Sequence, residues 1–192
     1  MTHHHDQEDT RELGRLPRPR NFVRLAAPWL GGATDIGRRH HLNQDALAMW
    51  TGATPFPQAV MAISDGVSSA PHSERASLTA VTTVIDQLSS RLGQGQFDHG
   101  RLGEIFNQVF ETANHAVLAD GADGSAVGSC TLVVAVVDAG RVAIANIGDT
   151  RAYWLPDSAP ALQLSTDDSV AQAQMELGMS RAEAENSIHA HA

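Results

Sequence analysis

Apolar and polar positions change rhythm several times along this chain, and each change marks an element. "QAVMAIS" at 58–64 is a short apolar run that stops abruptly at Ser64, Asp65 and Gly66. "AMW" at 48–50 has the same character, and the intervening "TGATPFP" holds Gly and Pro residues that break a helix. Both runs read as strands. "HSERASLTAVTTVIDQLSSRL" follows, with apolar residues at 76, 78, 81, 84, 85 and 88. That spacing is helical, with Ser73 expected to cap the start and Glu74 in the first turn, where its charge suits the helix dipole. A second helix is predicted over 101–118, with Leu102, Ile105, Phe106, Val109, Phe110, Ala113 and Val117 on one face.

After the Gly/Asp-rich "ADGADGSAVG" the rhythm becomes that of strands. "SCTLVVAVVDAGRVAIANIGDTRAYWL" alternates or runs on in β-branched and aromatic residues, which predicts strands at 129–137, 141–147 and 151–155. "DAG" at 138–140 is a hairpin signal between the first two. Short helices are expected at 168–178 and 180–187. Residues 1–24 are polar, carry a Pro-Arg-Pro-Arg run and sustain no apolar period, so they read as a flexible arm ahead of a domain over 25–192. His3, His4 and His5 could bind a transition metal, but a histidine tract in a polar tail is the simpler reading. No internal repeat is visible. Strands, two helices, a run of antiparallel strands and further helices make an α+β layered pattern rather than alternating strand–helix units.

Composition narrows the classes. Of the 192 residues 42% are apolar and 18% charged, as in an ordinary globular domain with a full core. All 13 basic residues are arginine and the formal net charge is −9, which argues against nucleic acid or an anionic membrane as partner. Cys130 is the single cysteine, so no intramolecular disulfide forms, and the expected compartment is the reducing cytoplasm. No run reaches the length of a membrane span, and the amino terminus has no signal-peptide core.

Three aspartates stand where strands end: Asp45 in "LNQDALAM", Asp65 in "AISDGVSS" and Asp149 in "ANIGDTRAY". Carboxylates converging on one sheet edge would give the oxygen-only site that magnesium or manganese prefers. Gly66 would let a backbone carbonyl approach the same ion. Asp-Gly and Gly-Asp pairs also simply mark turns, and spacing alone leaves both readings open. Arg38, Arg39, His40 and His41 precede Asp45; they suit an anionic substrate held against a metal, but a solvated loop is the simpler reading of these residues alone. Cys130 lies in an apolar strand-like run and reads as a buried structural thiol rather than a nucleophile. Neither a Walker loop nor a dinucleotide fingerprint is present.

Taken in order, "NQD", "AISDGVSS…SERAS", "GSCTLVVAVV", "VAIANIGDTRAYW" and "LSTDDSVAQAQMELGMSRAEAE" resemble the metal-dependent type 2C serine/threonine protein phosphatases, over roughly residues 30–188. The "DG" and "NIGDTRAY" blocks are the most specific. The resemblance implies an antiparallel β-sandwich flanked by helices, with two manganese or magnesium ions at one end. It implies that Asp65 bridges the ions, that the Gly66 carbonyl completes one coordination sphere, and that Asp45 holds metal-bound water. Asp149 matches an aspartate that serves there as an outer partner or a third-metal ligand. Arg38, Arg39 and His40 become the expected phosphate-binding residues. His40 stands where many members carry arginine, as in a bacterial branch. With Asp45 it is a candidate catalytic residue, donating to phosphate or protonating the leaving alkoxide. Two divalent ions would lower the pKa of a shared water enough for in-line attack on phosphorus. A phosphoprotein substrate follows, and with it a serine/threonine kinase or its targets as partners.

The pattern also departs from the family. Gln44 replaces a common glutamate. Ala126 occupies a position where bacterial members often have an aspartate, which puts a third metal site in doubt. Two further metal-binding aspartates, in Ser-Asp-Gly and Asp-Asn blocks, are not found by Ala192, and Asp167 and Asp168 belong to a different block. The expectation is therefore a partial domain lacking the C-terminal strands, prone to self-association. An inactive phosphatase-like binding or regulatory module is the competing class.

Overall fold

A computed structural model describes residues 21–38, 41–52, 56–121, 124 and 126–186. Within them an antiparallel sheet of four strands runs in the order β3 (Ala46–Gly52), β4 (Gln58–Ser64), β5 (Leu132–Asp138), β6 (Arg141–Ile147). Ahead of it lies a hairpin of β1 (Phe22–Ala27) and β2 (Leu30–Thr34). Two long helices, α1 (Ser73–Gly93) and α2 (Leu102–Ala119), connect β4 to β5. A two-residue pair, β7 (Tyr153–Trp154) and β8 (Leu162–Gln163), precedes the short helices α3 (Val170–Glu176) and α4 (Arg181–Glu185). The class is α+β with antiparallel sheets, as the pattern predicts.

Alternation along the strands decides which face is covered. Ala46, Val60, Ala62, Val134, Val136 and Ala143 point to one face and bury against Val81, Val84, Ile85 and Leu88 of α1 and Ile105, Phe106 and Val109 of α2. Leu88, Val81, Val84 and Val109 are fully buried, so the two helical stripes read from the sequence are the ones that build the core. Leu78, counted in the apolar period of α1, instead faces outward and is half exposed. On the opposite face Leu30 of the β1–β2 hairpin meets Met49 and Ala59. Beyond the reach of that hairpin, Ile63 and Val142 stay about half exposed.

Several boundaries differ from the sequence reading for identifiable reasons. β1 begins at Phe22, so residues 22–24, expected in the arm, join the hairpin with Thr34, Ala33 and Gly32 opposite them. The Pro-Arg run hides a strand whose partner lies only a few residues downstream. The strand expected over 129–137 starts at Leu132, because residues 129–131 leave the ladder and Cys130 keeps only an isolated bridge to Gly66. Ser73 is not the cap of α1. His72 takes that place in a left-handed conformation (φ 52°), and Ser73 is the first helical residue, with its hydroxyl donated to the Ala70 carbonyl. The hairpin at 138–140 is as expected: Ala139 and Gly140 both have positive φ, the two-residue turn that matches strand twist.

At the far end of the sheet, Asp138 accepts from Gln58 Nε2 (2.7 Å) and contacts His99 Nε2 (2.9 Å), while the His99 ring meets Phe97 edge-on. This cluster ties the α1–α2 connection to the β5–β6 turn. Burial pushes the Asp138 carboxyl up, but the hydrogen bonds from Gln58 and His99, with the His99 charge, outweigh it and hold the group below the usual carboxylate range. A depressed folded-state pKa stabilises the fold above the unfolded carboxylate value and is lost as pH falls through the folded one. Asp138→Asn should therefore cost stability at neutral pH, with the difference from wild type beginning to shrink only below about pH 4 and lost as pH falls through the lower folded-state value. Urea denaturation at a series of pH values checks this.

Candidate functional site

The register of the sheet decides what meets at its near end. Ala46 pairs with Ser64, so Asp45 and Asp65 flank the last rung of the β3–β4 ladder. Ile63 pairs with Val133, and Leu132 with Ile147, so Thr131 lies beside Asp65 and Gly148 beside Thr131. The three aspartates singled out from the sequence thus leave the sheet at one edge, and the carboxylates of Asp45, Asp65 and Asp149 belong to exposed residues. The structure does not draw all three into one cluster. Among the described residues no group of three His, Cys, Asp or Glu side chains lies close enough together to hold a metal ion.

Hydrogen bonds fix the main chain at or beside each of the three aspartates. Asn43 is buried; its Oδ1 accepts the Asp45 N–H at 3.0 Å and its amide donates to Thr34 Oγ1 at 2.8 Å. The next residue, Gln44, is pinned from the helix side, donating to Ser73 Oγ (2.8 Å) and accepting from Ser77 Oγ (2.5 Å). Asp65 is gripped by Thr131: its N–H donates to the threonine hydroxyl (3.1 Å) and its carbonyl accepts the threonine N–H (2.8 Å). Asp149 follows Gly148, whose φ of +88° requires glycine. The Gly148 carbonyl accepts the Asp168 N–H, and Asn146 donates to the Thr166 carbonyl, so the turn is strapped to the chain after β8. Arg151 closes that strap with a two-pronged bond to Asp167.

Gly66 is the tightest point. A Cβ there would fall 2.7 Å from the Gln44 carbonyl oxygen and 2.8 Å from that of Ser73. The sequence reading has Gly66 let a backbone carbonyl approach an ion; what the structure shows at Gly66 is the close approach of protein backbone. Gly128 plays the same part against the Pro71 and His72 carbonyls, a constraint hidden inside a stretch that reads only as loop. Cys130, expected to be buried, is half-buried, and burial raises its thiol above the ordinary range, with Ser64 opposing and Asp65 adding to the shift. It has the character of a structural thiol.

Of the anion-binding candidates, Arg38 is exposed, in a turn after β2 where the Gly37 N–H donates to Asp35. Arg39 and His40 lie outside the described residues. The residues missed by sequence reasoning are Asn43, Thr131 and Thr150, and the Arg151–Asp167 pair. Their roles are hydrogen bonds across 16 to 66 positions of chain for the last three, which no local pattern signals.

The donor chemistry suits a hard cation in kind: exposed carboxylates at one edge, with a backbone crossing directly behind them. In number it is short of a full coordination shell. Comparison with known proteins agrees with the architecture. The family model for protein phosphatase 2C matches residues 34–190. The serine/threonine phosphatase PstP/Ppp of Mycobacterium tuberculosis is 23% identical, with a TM-score of 0.61 over 82% of this chain and 62% of that one. The serine/threonine phosphatase Stp1 of Staphylococcus aureus is 23% identical, with a TM-score of 0.65 over 81% and 60%. A structure of the PstP catalytic domain in complex with two manganese ions is 23% identical, with a TM-score of 0.58 over 79% and 61%. This chain thus spans about three fifths of the solved structures it matches. No curated protein matches. No helix among the described residues is long and apolar enough to cross a membrane.

Gly66→Ala should force the Gln44 and Ser73 carbonyls apart and destabilise the fold by about 1–3 kcal/mol, the usual cost of overpacking. A chemical-denaturation midpoint unchanged from wild type would contradict the crossing described here.

Proposed function

The chain belongs to the protein phosphatase 2C family, and from that premise we propose that the whole protein is a manganese- or magnesium-dependent phosphatase acting on phosphoserine and phosphothreonine of protein substrates. The observation that carries the reading is the alignment of Asp45 and Asp65 across the end of β3 and β4, with Gly66 directly behind them. Bound divalent cations supply Lewis acidity, which makes water a nucleophile near neutral pH and screens the phosphate anion.

This chain's residues then divide the work. Asp65 and Asp45 present oxygen donors from a rigid strand end, so little reorganisation accompanies binding. Asp149 adds negative charge from the neighbouring turn. Arg38, Arg39 and His40 are the groups assigned to the phosphate, arginine by its planar fork and histidine as the side chain that ordinarily titrates between about pH 5 and 8. The substrate is then a protein modified by a serine/threonine kinase, and the negative balance of the chain weighs against nucleic acid.

A second reading, a phosphoprotein-binding relative without turnover, draws on one observation: no three ligating side chains converge among the described residues. Asp65→Asn separates the two. It should lower manganese-dependent hydrolysis of a phosphopeptide by the whole protein by more than about 100-fold, the upper end for loss of even an outer partner, while circular dichroism stays that of wild type. A wild-type protein that binds the phosphopeptide without releasing phosphate would favour the binding module. His40→Ala should reduce kcat by about 100-fold through the lost proton or hydrogen bond and leave manganese affinity in place. Lost affinity with kcat preserved would make His40 a ligand instead.

A further inference from the structure

We infer that Thr131 is a positioning residue that couples the Asp65 strand end to the Asp149 turn, so that both carboxylates are presented to a cation as one unit. The inference rests on the phosphatase reading above for its functional half and on geometry alone for the coupling.

Thr131 immediately precedes β5, the strand between β4 and β6. Every polar group it has is spent on its two neighbours. Its N–H donates to the Asp65 carbonyl at 2.8 Å, and its own carbonyl accepts the Ser64 hydroxyl at 2.5 Å. Its hydroxyl oxygen accepts the Asp65 N–H at 3.1 Å and shares a 2.5 Å hydrogen bond with the Thr150 hydroxyl, in which either oxygen can be the donor. The hydroxyl thus joins the backbone of Asp65 to the side chain that follows Asp149.

The methyl side is used as well. A Cβ on Gly148 would come within 2.7 Å of Thr131 Cγ2, so the turn at Gly148 lies directly against the threonine. Neither carboxylate needs to touch the other for their backbones to be coupled. A local pattern of strand residues cannot show this, because serine, valine and threonine all suit a strand start, and only threonine supplies both the hydroxyl and the methyl here.

Two substitutions divide those contributions. Thr131→Val keeps the shape and loses the hydroxyl; Thr131→Ser keeps the hydroxyl and loses the methyl. Amide hydrogen exchange followed by NMR, thermal midpoints and titration with manganese chloride are measured on the 192-residue chain and both variants. In Thr131→Val, exchange should quicken by about tenfold, the scale of one lost hydrogen bond, at Asp65 and across 148–150 together. Manganese affinity should fall by about tenfold, as for loss of an outer partner. Thr131→Ser should restore both, whatever its thermal midpoint. Exchange that quickens at Asp65 alone, or manganese affinity that follows the thermal midpoint rather than the hydroxyl, overturns the coupling. If the exchange results hold but the wild-type chain takes up no manganese, the role of Thr131 toward a cation fails, while the phosphatase reading of the whole protein stands or falls on the Asp65→Asn hydrolysis measurement.

Discussion

Three stretches of backbone cross at Gly66 with no space for a side chain between them. The approach to β3 passes on one side through the Gln44 carbonyl, and the start of α1 on the other through that of Ser73. This crossing ties the end of β4, the beginning of β3 and the first turn of the long helix to one another. Ser73 and Ser77 then reach back to Gln44 and fix the approach from the helix side. The helical stripe of α1 follows onto the sheet, because its first residues have no freedom to rotate away. The core formed by Val81, Val84, Leu88 and Val134 is thus oriented from the same place that presents Asp45 and Asp65.

The two ends of the sheet are built on different chemistry. At the near end, carboxylates face outward and are steadied through the backbone, by Asn43, Thr131 and the strap after β8. At the far end, Asp138 turns its own carboxylate inward to Gln58 and His99 and serves the fold. A carboxylate whose oxygens are satisfied within the protein has nothing to offer a cation.

Periodicity made the core and most of the sheet legible. α1, α2 and β3 to β6 have strong periods, and burial rewards those periods directly. β1, β2 and β8 were not legible, since a six-residue strand beside Pro-Arg repeats and a two-residue strand carry too little pattern to separate from loop. At the site, Asp45, Asp65, Gly66 and Asp149 stood out because each breaks an apolar run or joins a glycine at its end. Thr131 and Asn43 did not, because their importance lies in partners far away or in a buried amide. The Ser73 cap was misjudged for a related reason. Its hydroxyl had a choice of partners, and the Ala70 carbonyl and the Gln44 amide occupy it.

The Ala139–Gly140 turn acts as a ruler for the opposite end of the molecule. A two-residue loop with both φ angles positive admits no slack, so it fixes which residue of β6 lies beside which residue of β5 along the whole ladder. Seven residues on, roughly 20 Å away at strand rise, that count places Gly148 beside Thr131 and hence Asp149 at the carboxylate edge. One residue inserted at the turn has to be absorbed by a bulged three-residue loop; if it slips into the ladder instead, it inverts the faces of β6 and carries Asp149 out of line. Length variation among related chains should therefore avoid this turn and collect in connections, such as that between α2 and β5, whose length no ladder measures.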